Sequence, residues 1–424
     1  MKILVIGSGG REHAIVWKLA ESRQVEKIYV TPGNVGISQL ATCIVSENNS
    51  PVALAELAAR LDVDLTIVGP EAPLVAGIVD VFNRRHLPIV GPTRAAAQLE
   101  GSKIFAKDFM SRHHLPTAAF TICESPESAY DIISSKIYGY PVVLKADGLA
   151  SGKGVVVAKD EDEANQAIQD MMVDKKLGEA GTRLVIEEFL EGREASLLVF
   201  SDGKQVIPMP PAQDYKNIYD NNLGPNTGGM GSFSMPGLLD KNLKERLIKD
   251  LAEVTVIGMA EEGIPFKGIL FIGLMLTESG VKILEYNVRF GDPETQVILA
   301  RLDSDLLDIF LGIANGDLSQ VKPVWSDMST VCVIMAAAGY PGNIETNQVI
   351  RGLKEAEALE NVNVFHAGTK LNDLGQVVTA SGRVLGVLAR RFSLEAARQQ
   401  AYKAVEQIDF AGKHYRRDIA LLRS

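Results

Sequence analysis

Cysteine is scarce in this chain. The three present, Cys43, Cys123 and Cys332, lie far apart and no C-x-x-C pair occurs. The sequence therefore offers neither a zinc-ligand set nor a disulfide framework, and each Cys reads as a small buried apolar residue. Long basic runs are missing too, and the formal net charge is −10. That excludes a protein built to coat nucleic acid, while phosphate ligands, which need only a few local cations, stay open. No apolar stretch approaches the ~20 residues of a membrane span. The opening MKILVIGSGG has one Lys and a very short apolar run, so it reads as a first β-strand and not as a signal peptide. The expectation is a cytoplasmic protein with no membrane and no nucleic-acid partner.

What is present is the make-up of an ordinary globular enzyme: 424 residues, 46% hydrophobic and 23% charged, enough for several domains. The first hundred residues alternate strand and helix: strands at 3–6, 27–30, 65–68 and 88–90, helices at 11–21 and 52–61, and helical spacing again through Leu74, Val75, Ile78, Val79 and Phe82. Repeated βα units predict an open parallel sheet, with ligands beyond the carboxyl ends of its strands. The Gly/Pro loops at 7–10, 32–36 and 69–73 then share one rim. A helix over 95–114, broken near Gly101, leads to a small α+β lobe. Its strands are 141–145, 155–158 and 183–187, its helix is near 163–172, and a hairpin at 194–208 follows. The segment 213–236 is polar, rich in Gly and Asn, and aperiodic; it reads as a long functional loop. A helix at 238–262 and strands at 268–277 and 281–290 come next, and a separate α/β lobe begins at about 325.

Val281–Phe290 is the most informative stretch. Strict alternation puts Leu284, Tyr286, Val288 and Phe290 on one face and Glu285, Asn287 and Arg289 on the other. The second face aligns carboxylate, amide oxygen and guanidinium at intervals of about 6.5–7 Å. Hard oxygens suit Mg²⁺, which also takes substrate phosphates, and Arg289 would sit beside them. The turn Gly291-Asp292-Pro293-Glu294 adds two carboxylates. A solvated edge strand is the bland alternative.

Lys145–Gly154 reads KADGLASGKG. Glycines let backbone N–H groups converge on an anion, and Lys145 and Lys153 add charge. The spacing is not that of a Walker A loop, and a strand follows where that motif needs a helix. A hairpin loop over phosphates fits better. Gly7–His13 (GSGGREH) opens a helix and favours an anion. A dinucleotide fingerprint would need Gly where Glu12 stands and an acidic residue after Val30, so nicotinamide-dependent dehydrogenase chemistry is the weaker reading.

Arg289–Gln296 (RFGDPETQ) resembles the signature of the phosphoribosylamine–glycine ligases. GSGGREHA at 7–14, GPEAPL at 69–74, KADGLASGKG at 145–154, GPNTGGMG at 224–231 and SGRVLG at 381–386 resemble the same family in the same order. The resemblance spans the chain. It implies an α/β and α+β multidomain protein of the ATP-grasp fold: a Rossmann-like domain at 1–102, a connecting helix and linker at 103–120, a lid subdomain at 121–190, a central body at 191–324 and a small α/β domain at 325–424. It implies a ligase of purine biosynthesis that takes ATP, glycine and 5-phosphoribosylamine to glycinamide ribonucleotide, ADP and phosphate through glycyl phosphate. A monomer is expected, with a weak dimer as the alternative. Another ATP-grasp ligase or carboxylase is the nearest rival.

Residue by residue, the resemblance implies Glu285 and Asn287 as ligands of Mg²⁺ or Mn²⁺, and Arg289, Lys145 and Asp292 as catalytic. ATP would be bound by Lys103, Lys145, Gly148, Ser151, Gly152, Lys153, Gly154, Glu187, Glu188, Leu190 and Glu194. The other substrates would meet Gly9, Gly10, Arg11, Glu12, His13, Glu71, Asp214, Gly229, Arg289 and Asp292. Where the family commonly has His-Lys-Arg after Asp214, this chain has Tyr215-Lys216-Asn217, and the strand before Glu285 offers no further carboxylate.

Overall fold

A computed structural model describes residues 1–150 and 154–422. The N-terminal sheet has five strands in the order Thr42–Cys43, Lys27–Pro32, Lys2–Gly7, Leu65–Val68, Ile89–Val90, all parallel. Its central strand is buried from Ile3 to Ile6, as a parallel strand covered on both faces must be. Three loops leave one rim together. Gly33 N–H donates to Gly7 O at 3.1 Å, Gly69 N–H to Ile6 O at 2.9 Å, and the Asn34 side-chain amide to Ser8 O at 2.8 Å.

One sequence expectation changes here and one is met. The 69–73 loop is shorter than expected, because Glu71–Val75 forms a helical turn that ends before Gly77, at φ +85°. The helix expected over 95–114 with a break near Gly101 is indeed two helices, Gln98–Gly101 and Lys103–Arg112. Ser102 breaks it: the Ser102 hydroxyl accepts from Phe105 N–H at 3.1 Å and donates to Asp147 at 2.7 Å, and so caps the second helix.

A four-stranded antiparallel sheet follows, in the order Phe120–Cys123, Leu184–Glu188, Val142–Ala146, Val155–Ala158. Helices Pro126–Ser135 and Glu161–Ile168 cover it with Ala129, Ile133, Ala164 and Ile168. The central sheet, also antiparallel, runs Val206–Pro208, Arg193–Asp202, Lys267–Thr277, Gly280–Asn287. The last sheet is Gln213–Asp214, Gly231–Ser234, Ser329–Ala336, Arg383–Arg391, Val362–His366, backed by helix Leu394–Gln407.

The segment 213–236 is thus not a loop. It holds four strands of two to four residues: Gln213–Asp214, Asn217–Tyr219, Leu223–Asn226 and Gly231–Ser234. Runs that short show no period in sequence. Two of them carry the chain from the central sheet into the C-terminal one.

The alternation expected over 281–290 also fails at one point. Gly273 pairs with Glu285 but Leu274 pairs with Ile283, so Leu284 is the extra residue of a β-bulge. Ile283 and Tyr286 are buried, while Leu284 and Glu285 both face the same cavity. The strand ends at Asn287, and Arg289 lies beyond it. Among the described residues no helix is long and apolar enough to cross a membrane.

Candidate active site

A cavity of about 560 Å³ opens where the four larger sheets meet. The bulged strand brings Leu284, Glu285 and Asn287 to it. The antiparallel lobe brings Lys145, Gly148, Gly154, Glu187, Glu188 and Leu190, the central strand Glu194, and the N-terminal domain Arg11 and Glu71. Lys103, Asp214, Arg289 and Asp292 also line it. These expected residues, far apart in sequence, are therefore neighbours. Ser151, Gly152 and Lys153 lie outside the described residues. A more open depression of about 980 Å³ beside Leu115–Phe120 shares only Glu188 with this cavity.

Charge pairing organises the walls. Glu285 faces Lys103 Nζ at 3.6 Å and Lys216 Nζ at 3.8 Å. Burial opposes its ionisation, but Lys103, Lys216, Lys145 and Arg289 outweigh burial and hold its carboxyl far below the usual range. Arg289 donates from Nε to Glu71 at 3.0 Å, and from Nη2 to Glu100 at 2.8 Å and to Asn287 Oδ1 at 3.0 Å. Lys145 donates to Leu284 O at 3.1 Å and pairs with Glu187 at 3.0 Å. An ammonium has three donors, so one remains for a ligand. Lys107, beneath, contacts the same Glu187 oxygen at 3.1 Å, and Glu187 Oε1 is buried without a partner.

Asp214 sits deep in the cavity. Burial, reinforced by Glu294 and opposed by Lys216, pushes its carboxyl up to about 8. Glu294 is likewise raised, by burial first. Lys216, 3.4 Å from Glu194, is held charged by that carboxylate against burial.

The glycine-rich helix start departs from expectation. The Glu12 carboxylate is 2% exposed, accepts from Gly9 N–H at 2.6 Å and pairs with Arg11 Nε at 2.6 Å. A Cβ at Gly7 or Gly69 would run into it. The helix N-terminus is thus capped by the protein's own Glu12 carboxylate. Arg11 reaches the cavity; Gly9, Gly10, Glu12 and His13 do not line it. Gly9 and Gly10 back onto the Asp292 turn, where a Gly9 Cβ would stand 3.6 Å from Asp292 Oδ2. His13 is buried against the C-terminal lobe: its Nδ1 accepts from His366 N–H at 2.8 Å, and its ring meets Phe365 edge-on at 5.5 Å. Gly229, at φ +110°, presses on Pro293, and its neighbour Gly228 lines the cavity instead.

Sequence reasoning left Glu100, Lys216, Tyr340 and Arg383 without a role and Glu294 only as a carboxylate of the 291–294 turn, yet all line the cavity. Lys216, Glu294 and Arg383 lay inside motifs already singled out. Glu100 and Tyr340 carried no local signal, because only tertiary packing brings them in.

Among the described residues no three of His, Cys, Asp and Glu gather as a metal cage. Glu285 and Asn287 nevertheless offer two hard oxygens. That donor set fits a divalent cation that draws its other ligands from phosphate and water.

Family models place this architecture. The N domain of phosphoribosylglycinamide synthetase matches residues 1–100, its ATP-grasp (A) domain 101–295 and its C domain 330–422. The phosphoribosylamine–glycine ligase of Pseudomonas aeruginosa is 49% identical over 99% of this chain and 97% of its own length. The chain belongs to the phosphoribosylglycinamide synthetase family. A relative from Caldanaerobacter subterraneus, again a phosphoribosylamine–glycine ligase, is 46% identical over 99% of both chains. Within the family, the crystal structure of the Thermotoga maritima phosphoribosylamine–glycine ligase superposes with a TM-score of 0.86 at 34% identity, over 99% of this chain and 100% of that one. Biotin carboxylase from Campylobacter jejuni shares the fold alone: TM-score 0.74, 16% identity, 98% of this chain and 92% of that one. The protein is a ligase built on the ATP-grasp fold, as its family is.

Proposed function

We propose that the chain joins glycine to 5-phosphoribosylamine, with ATP cleaved to ADP and phosphate, in the glycinamide ribonucleotide step of purine biosynthesis in the cytoplasm. One observation carries this reading. Glu285, Asn287, Lys103, Lys145 and Arg289 converge on one cavity with Asp292, in a chain that matches all three domains of the family.

A carboxylate does not condense with an amine at neutral pH, because it is a poor electrophile. An oxygen of glycine attacks the terminal phosphorus of ATP, an O–P bond forms, and ADP leaves with the bridging electron pair. The amine nitrogen then attacks the acyl carbon of glycyl phosphate. A C–N bond forms, phosphate departs with the C–O electrons, and the surplus amine proton passes to Asp292. Neither step needs a nucleophilic side chain; positioning and charge stabilisation suffice.

Lys103, Lys145 and Arg289 neutralise charge on the transferred group. Glu187, Glu188 and Leu190 hold the adenine and Glu194 the ribose, while Gly148, Ser151, Gly152, Lys153 and Gly154 cover the phosphates. A divalent ion, Mg²⁺ or Mn²⁺, would be held by Glu285 and Asn287 and would spread charge across the nucleotide's terminal phosphates. Arg11, Glu71, Asp214 and Asp292 face glycine and phosphoribosylamine.

The test is ADP release by the purified chain with Mg-ATP. Release that needs both glycine and phosphoribosylamine is expected. Release driven by bicarbonate, or indifferent to either substrate, would defeat the proposal.

A further inference from the structure

The C-terminal lobe sends just two described side chains into the cavity, Tyr340 and Arg383, and neither has a role in the scheme above. Arg383 opens the strand Arg383–Arg391. Its Nη1 donates to Gly228 O at 2.6 Å and to Asp292 O at 2.8 Å, and its Nη2 donates to Asp292 Oδ2 at 3.0 Å. Tyr340 reaches the same place, its hydroxyl accepting from Gly228 N–H at 3.0 Å. The second oxygen of Asp292, Oδ1, accepts from Gln296 Nε2 at 2.9 Å. Both carboxylate oxygens are thereby fixed, one of them from another lobe.

This is more than a surface ion pair, which contributes little. One planar fork joins three acceptors on two segments, the Gly228 loop and the Asp292 turn, and a lysine cannot reproduce that geometry. Its location also separates it from the nucleotide end. The Asp292 turn abuts Gly9 of the N-terminal domain, whereas Glu285 faces Lys103 and Lys216.

We propose that Arg383, assisted by Tyr340, is a positioning residue that holds Asp292 and Gly228 in the geometry that receives the attacking amine, so that the C-terminal lobe completes the acceptor half of the site. The inference rests on the function proposed above. An amine gains positive charge as it attacks, and a carboxylate held in place stabilises that charge without reorganising.

The experiment is steady-state kinetics of the full chain and of its Arg383→Lys and Tyr340→Phe variants, with Mg-ATP, glycine, and phosphoribosylamine formed in situ from ribose 5-phosphate and ammonia. Arg383→Lys is expected to lower kcat/KM for phosphoribosylamine at least 10-fold while KM for ATP stays within twofold. Tyr340→Phe should shift the same parameter about threefold. A residue that only stabilises the fold would lower kcat in proportion to the folded fraction and leave every KM unchanged. That result, or equal shifts for all three substrates, overturns the inference. If Arg383→Lys does not fold, Tyr340→Phe decides alone, and unchanged kinetics there count against the claim. A wild-type chain that makes no product overturns the proposed function as well; an active wild type with an unaltered Arg383→Lys overturns only this inference.

Discussion

Acidification should loosen the junction between the N-terminal helix and the C-terminal lobe, because two histidines are buried there uncharged. His13 and His366 are 6% and 1% exposed and their rings lie 5.8 Å apart. Burial lowers both: His13, further disfavoured by His366, falls to about 3, and His366 to about 4. The unfolded chain takes up its protons near the ordinary value of about 6.5. The stability these groups contribute is therefore nearly complete at pH 7 and is lost as pH falls from 6.5 toward 4. Linkage puts the loss between pH 7 and 5 at about 2 kcal/mol for each, or about 4 kcal/mol together. Asp214 works in the opposite sense. Its carboxyl, raised to about 8, binds a proton in the folded chain over the same interval, so acid favours the fold there. The wild-type curve alone is thus not diagnostic, and the difference from a variant is. His13→Asn keeps an acceptor for the His366 N–H and removes one titrating group. Its melting temperature should fall between pH 7 and 5 by about 2 °C less than that of wild type, taking the chain as one melting unit. Circular dichroism melts at the two pH values measure this. Equal shifts in the two proteins would refute the burial argument.

The site makes three further predictions. Glu285→Gln keeps the shape but leaves Lys103 and Lys216 without their shared carboxylate; turnover should fall about 100-fold or more, and a near-normal Mg²⁺-dependent rate would contradict the metal assignment. Gly9→Val would drive a side chain into Glu12 and toward Asp292. KM for phosphoribosylamine should then rise about 10-fold or more with ATP binding retained, and titration calorimetry that found ATP affinity alone reduced would refute the reasoning. Lys153→Ala should raise the ratio of ATP hydrolysed to product formed, since an acyl phosphate less well covered meets water; equal ADP and product yields would count against that role.

How much was legible from sequence depended on how far each signal reached. The parallel N-terminal sheet was readable because its strands are buried on both faces and announce themselves as apolar runs. The Lys145 hairpin was readable because a glycine-rich loop divides two apolar runs, and the Glu285 strand because polar residues interrupt an apolar run at fixed spacing. Leu284 was misplaced because a bulge is set by the partner strand, here at Gly273, and leaves no mark on its own strand. The short strands of 213–234 escaped because pairing with Ser329–Ala336 defines Gly231–Ser234, a relation across about a hundred residues. The capping role of Glu12 was hidden for a similar reason. Its neighbours invite an external anion, and only the fold shows that Gly7 and Gly69 close around its own carboxylate.

The cavity's charge balance gives the metal proposal a footing that does not depend on the two ligands alone. Six cations line the cavity among the described residues: Arg11, Lys103, Lys145, Lys216, Arg289 and Arg383. Nine carboxylates face them: Glu71, Glu100, Glu187, Glu188, Glu194, Asp214, Glu285, Asp292 and Glu294. With every carboxylate ionised the wall is formally negative, and burial, which raises Asp214, Glu294 and Glu100, reduces that excess. A triphosphate entering beside these carboxylates gains from positive charge that comes with it, since charges in an enclosed site are weakly screened. The wall suits a nucleotide that arrives with divalent cations, and its carboxylates fix two of its guanidiniums, Arg289 by Glu71 and Glu100 and Arg383 by Asp292, while Glu12, outside the cavity, fixes Arg11. The acidic excess thus does two things at once. It holds the arginines rigid before any ligand enters, and it favours phosphates that enter together with a divalent cation.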